Sequence, residues 1–270
     1  MLSAALTLGF ALATVCAVAG EDAAVSTINH AFATELGTGV YDMGGRSIFV
    51  IRFAPERQLR AAGERSPGIR LVLPLAAGSF DFNPFDTLQA DVPDRVDSFS
   101  VMPGIEFDIA QESAWVFTPW LRAGGSFSEG QADGLLYGLG ARLTWAGELD
   151  GVELTRLHGI ALMNIDYHGT PADDRFLRLR NAVDLRRTTL RVTPSRLLLA
   201  GFYAIADIVP DPPDLPLAGR EQSVMQLELG VTFNLEPRPR IGSWRWPRLG
   251  FGYRMAGDFS GWRIAIGAPF

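Results

Sequence analysis

Lysine is absent from this chain of 270 residues, so that all 24 basic residues are arginine, and histidine occurs only three times. The net charge is -6, and no concentrated stripe of basic residues is present, so we expect no nucleic-acid partner. The only cysteine, Cys16, lies in the apolar N-terminal segment. A mature chain without that segment has no disulfide and no cysteine-based metal site.

Long apolar runs are also absent outside the N-terminus, which excludes an ordinary membrane-spanning helix in the rest of the chain. Residues 2–19 are almost wholly apolar and end in Ala17-Val18-Ala19, a small-x-small pattern that predicts a secretory signal peptide over residues 1–19. This segment has no basic residue before its apolar run. A lipoprotein signal that ends at Cys16 and a membrane-anchor helix are the alternatives.

A short leader, residues 20–39, follows the signal. Val25, Ile28, Phe32 and Leu36 recur at helical spacing, and Gly37 is suited to end a helix. The pattern predicts a short N-terminal helix. That helix either occupies the barrel described next as a plug or lies below it, and the alternative is a flexible leader.

Alternation of apolar and polar residues dominates the remainder of the chain, residues 40–270. The longest example is residues 134–145, where Leu135, Tyr137 and Leu139 face away from Gly138 and Arg142. A tilted strand that crosses a bilayer needs about 9–11 residues, and soluble sandwiches rarely sustain such lengths. The pattern therefore predicts an all-β fold, a transmembrane antiparallel β-barrel, with a soluble β-domain as the alternative.

We predict about twelve strands, with ten and fourteen left open. Their ranges are 46–53, 69–75, 99–109, 114–123, 134–145, 152–167, 176–185, 188–192, 195–206, 224–234, 247–255 and 260–270. The longest connections in this prediction are residues 54–68, 78–97 and 208–222, which are rich in Gly, Pro and Asp.

The last eleven residues, 260–270, end on an aromatic residue. We predict that one face of this strand is an outward-facing assembly signal, formed by Trp262, Ile264, Ile266, Ala268 and Phe270. The alternative is an ordinary edge strand at the end of a soluble domain.

Charged residues concentrate on the opposite face of the predicted strands. A charge on the lipid face costs about 2–4 kcal/mol at the midplane of the bilayer, so we place these residues in the lumen. The predicted lumen-facing charges are Glu106, Asp108, Arg122, Arg142, Glu228, Arg254 and Arg263. They form either a network of ion pairs that closes the pore or a lining that selects solutes.

No catalytic or metal site stands out. The three histidines, His30, His158 and His168, have no adjacent serine, and neither G-x-S-x-G nor H-E-x-x-H occurs. We therefore expect no enzymatic activity, no cofactor and no bound metal. An outer-membrane enzyme that modifies lipids is kept as an alternative, because barrels can carry a Ser/His pair on their outer face.

With its signal, short leader, twelve predicted strands and the ending G-W-R-I-A-I-G-A-P-F, the chain resembles the autotransporter β-domain family. The most specific part runs from Leu249-Gly250-Phe251-Gly252-Tyr253-Arg254 to Phe270. The chain looks most like the solitary members, which carry a barrel without a passenger, because only about twenty residues separate the predicted signal from the first predicted strand.

This resemblance implies an outer-membrane location in a Gram-negative bacterium, with a helix that threads the pore. The implied partners are outer-membrane lipid, lipopolysaccharide and the barrel-assembly machinery, and we expect a monomer. We expect a structural or limited-pore role, and a transport pore for solutes or a passenger is the alternative.

Overall fold

Strands make up almost all of the structure, a computed structural model that describes residues 35–43, 47–63, 66–81, 95–110, 114–128, 133–169, 173–210, 225–241, 244–257 and 259–270. The predicted signal peptide and residues 20–34 of the predicted leader lie outside these ranges. No helix in the described ranges is long and apolar enough to cross a membrane.

Seventeen strand segments follow one another along the chain. They are β1 (Thr38–Met43), β2 (Ser47–Phe53), β3 (Glu56–Arg60), β4 (Gly68–Val72), β5 (Leu75–Asp81), β6 (Arg95–Val101), β7 (Gly104–Ala110), β8 (Trp115–Ser128), β9 (Gly134–Leu149), β10 (Val152–Tyr167), β11 (Asp173–Thr193), β12 (Arg196–Ile208), β13 (Met225–Glu236), β14 (Arg240–Ile241), β15 (Trp244–Arg245), β16 (Leu249–Ala256) and β17 (Phe259–Ile266).

The sheet closes on itself because β1 pairs with β17 and all neighbouring strands are antiparallel. Around the wall the order is β1, β2, β5, β6, β8, β9, β10, β11, β12, β13, β16 and β17. The segments β3, β4 and β7 continue β2, β5 and β6 along the same wall strands, and β14 and β15 form a small separate hairpin. The predicted all-β fold is confirmed as a closed antiparallel barrel of twelve wall strands.

Three adjacent wall strands are each interrupted at a proline. The breaks fall at Pro55 between β2 and β3, at Pro74 between β4 and β5, and at Pro103 between β6 and β7. A proline lacks an N–H, so it cannot return the second hydrogen bond of its pair in the ladder. Each proline carbonyl still accepts an N–H from the next wall strand, at 2.9 to 3.1 Å, so the register continues across the break.

The distribution of apolar side chains is inverted relative to that of a soluble domain. Large apolar residues cover the outer surface, as in β9, where Leu135 and Leu139 are exposed while Gly134, Leu136 and Gly138 are buried. A wall with an apolar exterior and a polar interior is the arrangement of a transmembrane barrel.

The two ends of the barrel have different connections. We call the end at which β17 stops the C-terminal rim and the opposite end the far rim. At the C-terminal rim β9 and β10 are joined by Asp150 and Gly151, whose positive φ angles of 51° and 75° fit a tight hairpin turn. At the far rim lie the strand ends that flank residues 82–94 and 211–224, two segments outside the described residues.

The predicted strands differ from the observed ones in several places. The predicted connection 78–97 is wrong at both ends, because it contains residues 78–81 of β5 and 95–97 of β6. The first wall strand, β1, was not predicted, because Thr38–Met43 shows little alternation. The predicted strands 176–185 and 188–192 are one strand, β11, of 21 residues. The predicted connection 54–68 is wrong in part, because it contains β3, an exposed polar continuation of β2 beyond the break at Pro55.

Candidate lumen site

The interior of the barrel carries charged side chains from most of the wall strands. All seven predicted lumen-facing residues lie on the inward side: Glu106 and Asp108 on β7, Arg122 on β8, Arg142 on β9, Glu228 on β13, Arg254 on β16 and Arg263 on β17. The strand alternation places them there, because every second side chain of a barrel strand faces inward. The structure brings them together in two groups.

The first group surrounds Glu106, which is almost fully buried. Its carboxylate lies 3.0 Å from Nη2 of Arg122 and 3.1 Å from Nη2 of Arg70, and Arg142 makes a third, shorter ion pair. Arg70 also reaches Asp108 at 3.1 Å. Three guanidinium groups from three wall strands thus converge on one carboxylate, so that the charge of Glu106 is compensated where water is scarce.

The second group surrounds Glu228 on the other side of the lumen. Arg263 Nη1 donates to one carboxylate oxygen at 2.7 Å, and Arg254 Nε donates to the other at 3.0 Å. The hydroxyl of Tyr203 donates to the same carboxylate at 2.9 Å. Because each carboxylate oxygen accepts a charge-assisted hydrogen bond from a different arginine, Glu228 links β13 to both β16 and β17.

Two further carboxylates extend the second group. Asp207 accepts two hydrogen bonds of 2.7 Å from Arg180 and lies 3.4 Å from Arg254. Asp184 pairs with Arg248, and both of these side chains are buried. Through Asp207 and Glu228 the network spans β11, β12, β13, β16 and β17, which are five of the twelve wall strands. The Asp184–Arg248 pair adds a separate contact between β11 and the residue before β16.

Glu35 lies inside the lumen although it belongs to no wall strand. Its carboxylate contacts Arg178 of β11 at 2.6 Å, and Arg52 of β2 and Arg122 of β8 at 3.8 Å. These three strands lie on different sides of the ring, so the segment before β1 stands between them. Leu36 and Gly37 are buried beside it, and the hydroxyl of Tyr41 donates to the Gly37 carbonyl.

A cavity of about 160 Å³ remains beside Glu35. Its polar lining is mostly arginine, and its apolar lining includes Trp120 and the terminal residue. The lining residues are Glu35, Arg52, Trp120, Arg122, Ala141, Arg142, Leu157, Gly159, Ile160, Ala161, Arg178, Arg180 and Phe270. The cavity suits water or a small anion, because cationic donors outnumber the one carboxylate in its wall.

The end of the chain departs from the predicted alternation. Trp262, Ile264 and Ile266 face outward, and the Phe251 ring stacks on Trp262 with centroids 4.9 Å apart. Strand β17 then ends, and Gly267 has a φ of 99°, a left-handed conformation that turns the chain.

Beyond this turn, Ala268 is exposed, whereas Phe270 does not share the outer face. The Phe270 ring packs in the lumen against Leu157, Ala182, Tyr203 and Ile205. Arg263 donates to the Pro269 carbonyl at 2.7 Å and holds the turn.

The sequence analysis missed two of the central carboxylates, Glu35 and Asp207. The inward position of Asp207 could have been predicted, because Asp207 follows Tyr203 and Ile205 at the period of two along β12. Glu35 gave no such signal, because it precedes the first strand and its contacts are with residues 17 to 143 positions further along the chain.

The two histidines in the described ranges lie in or directly after β10. His158 contacts Asn181 and His168 contacts the Asp133 carbonyl, and neither of these two histidines is hydrogen-bonded to a serine. No group of three or more metal-ligating side chains occurs in the described ranges.

Comparison with known proteins shows the fold. The β-domain of the Bordetella autotransporter BrkA aligns with a TM-score of 0.50 at 10% identity, over 83% of this chain and 94% of that one. The translocator domain of the autotransporter NalP from Neisseria meningitidis aligns with a TM-score of 0.51 at 13% identity, over 86% of this chain and 85% of that one. No protein-family model and no curated protein matches the sequence.

Proposed function

We propose that this chain, which has the fold of the autotransporter β-domains, is an outer-membrane barrel with a constricted lumen and a structural or limited-pore role. The observation that carries the proposal is the position of Glu35. A carboxylate that pairs with arginines of β2, β8 and β11 occupies the space through which a solute or a polypeptide would pass.

The outer-membrane location rests on the apolar exterior together with the fold. Bands of exposed Leu, Ile, Val, Phe and Trp side chains cover wall strands on all sides, and such a surface is stable only in contact with lipid. We further propose that the barrel is monomeric, that it is inserted by the barrel-assembly machinery, and that phospholipid and lipopolysaccharide surround it.

A second candidate function is a pore for small anions. Around the cavity five arginines, Arg52, Arg122, Arg142, Arg178 and Arg180, face the carboxylates Glu35, Glu106 and Asp207. This excess of positive charge favours anions over cations if the constriction opens. For both candidates we further propose a role without a passenger domain and without enzymatic activity.

The proposal is tested with a matched pair of variants on one strand. Leu139 of β9 is exposed on the outer face, whereas Thr144 of the same strand is half-buried on the inner face. Arginine at a lipid-facing position costs about 2–4 kcal/mol near the midplane, so Leu139→Arg should lower the amount of barrel in the outer membrane. Thr144→Arg should lower it much less.

The measurement is the heat-modifiable band in isolated outer membranes. Wild-type protein found in the soluble fraction, or equal losses for the two variants, would refute the membrane orientation. If the wild-type protein is found in the outer membrane and proteoliposomes that contain it take up small anions rapidly, the anion pore is favoured instead.

A further inference from the structure

A polar patch interrupts the apolar exterior near the C-terminal rim. Arg156 and His158 of β10 and Asn181 of β11 are exposed on the outer face, flanked by Trp115 of β8 and Trp145 of β9. We call these five residues the outer polar patch. Their neighbours along β10, Ile160 and Leu162, are exposed apolar residues, as expected of a lipid-facing strand.

The patch is assembled by contacts across four wall strands. His158 Nδ1 lies 2.7 Å from Asn181 Oδ1, on the residue directly opposite in the ladder. The Trp115 ring lies 6.1 Å from the His158 ring and 6.5 Å from the Trp145 ring. The guanidinium carbon of Arg156 stands 5.8 Å from the centre of the Trp145 ring, a cation–π geometry.

The hydrogen-bonding capacity of the patch is only partly used. Asn181 Oδ1 accepts from His158, which leaves the Asn181 amide nitrogen as a donor directed at the exterior. Arg156 forms no ion pair with any carboxylate that the structure describes, in contrast to the lumen arginines. The guanidinium of Arg156 and the amide nitrogen of Asn181 thus face the exterior, and no acceptor from the described residues binds either of them.

Contact with hydrocarbon would be costly for Arg156 and Asn181, so we expect their acceptor outside the chain and at the level of the headgroups. Arg156 is the fifth residue of β10, close to the Asp150-Gly151 turn, and tryptophans prefer the level of the lipid headgroups. At that level the abundant anionic acceptor is the phosphate of a phospholipid, whose acyl chains can lie along Ile160 and Leu162.

We infer that the outer polar patch is a binding site for a phospholipid, with Arg156 and Asn181 holding its phosphate and Trp115 and Trp145 flanking the headgroup. The inference rests on the proposed function, because it requires the exterior to meet lipid. It adds a specific bound lipid to the general lipid contact of a membrane barrel.

The test is titration of the folded full-length barrel, purified in detergent, with dioleoyl phosphatidylglycerol, and detection of the bound lipid by native mass spectrometry. The comparison ligands are dioleoylglycerol, which has the same acyl chains without phosphate, and inorganic phosphate. Wild-type protein should bind phosphatidylglycerol more tightly than dioleoylglycerol, and inorganic phosphate should not displace it.

Arg156→Gln should weaken phosphatidylglycerol binding about fivefold, the loss expected for one surface cation near a headgroup. His158→Leu removes the hydrogen-bond partner that orients Asn181, so it should also weaken phosphatidylglycerol binding. This variant replaces Arg156→Gln in the test if Arg156→Gln does not fold. Arg187→Gln is the control, because Arg187 is an exposed outward residue on β11 outside the patch. It should change binding less than twofold.

Equal binding of both lipids, or equal weakening by Arg156→Gln and Arg187→Gln, would overturn the inference. Displacement by inorganic phosphate would overturn the assignment to a lipid. Quenching of tryptophan fluorescence by brominated lipids in vesicles separates this failure from that of the proposed function: absence of quenching refutes membrane insertion itself, whereas quenching without selective binding refutes only the lipid site.

Discussion

At the scale of single residues, Glu35 is the side chain that joins three sides of the lumen. It is buried, and Arg178 at 2.6 Å is its closest partner. Its other partners, Arg52 and Arg122, lie farther away at 3.8 Å. Among the carboxylates that the structure describes, Arg52 pairs only with Glu35, and Arg122 pairs only with Glu35 and Glu106. Removing one member of a buried ion pair leaves the other without compensation, which costs more than the pair contributes.

Replacing Glu35 by glutamine should therefore lower the free energy of unfolding by about 3 kcal/mol. Glu56→Gln is the matched control, since Glu56 pairs with Arg70 at 3.3 Å but is largely exposed at the C-terminal rim. Its loss should cost less than about 1 kcal/mol. Urea unfolding of the refolded barrels in detergent measures the free energy of unfolding of both variants. Equal decreases for Glu35→Gln and Glu56→Gln would contradict the central position of Glu35.

Phe270 is the second residue whose position matters. If the terminal aromatic residue served only as a signal read during assembly, its removal would leave the stability of the purified barrel unchanged. The structure packs its ring on Leu157, Ala182, Tyr203 and Ile205, so it contributes to the folded barrel as well.

Phe270→Ala should lower the free energy of unfolding of protein refolded from urea, where no assembly machinery is present, by up to about 3 kcal/mol. Ile266→Ala, at the end of β17 on the outer face, is the comparison that leaves the lumen intact. An unchanged stability of the Phe270 variant, combined with poor assembly in cells, would assign the residue to the signal alone.

At the scale of elements, the alternation of apolar and polar residues predicted where the wall strands lie, but it predicted the ends of the strands less accurately. Strand β10 was predicted with its observed bounds, and β9 was predicted from its observed start but four residues too short. The two faces of β9 differ clearly, whereas β10 buries Leu157 and Met163 on its inner face and exposes Arg156 on its outer face. Strand β1 escaped prediction and β11 was divided in two, and these errors cancelled in the count. β11 carries register shifts between Thr188 and Thr193, where irregular pairing disturbs the period of two.

The row of prolines is an element that alternation cannot reveal. Pro55, Pro74 and Pro103 are far apart in sequence, and only the pairing register places them side by side in neighbouring strands. Each pair at the row has at most one of the two ladder hydrogen bonds that other residues would form. This side of the wall should therefore open locally more often than the side formed by β9 and β10.

Amide hydrogen exchange in detergent tests this difference. Peptides that contain Leu73 and Met102, whose amides bond to the proline carbonyls, should exchange faster than peptides from the middle of β10, around Gly159. Uniform protection around the wall would contradict the expected weakness of the proline row.

At the scale of the whole molecule, the sequence predicted the architecture but not the state of the pore. Alternating charges revealed which side chains face inward, including Glu106 and Glu228, because the inward parity of a strand is a local property. Whether the lumen is filled depends on contacts between distant segments, such as Glu35 with Arg178. No local pattern encodes those contacts.

The most direct test of a constricted lumen is single-channel conductance in a planar bilayer. The mature chain is compared with a deletion of residues 20–36, which removes Glu35 and leaves every wall strand intact. We expect a silent or barely conducting mature chain and a conducting deletion variant that prefers anions, because the cavity arginines then lose the Glu35 carboxylate. Large and steady conductance of the folded mature chain, unchanged by the deletion, would contradict the account.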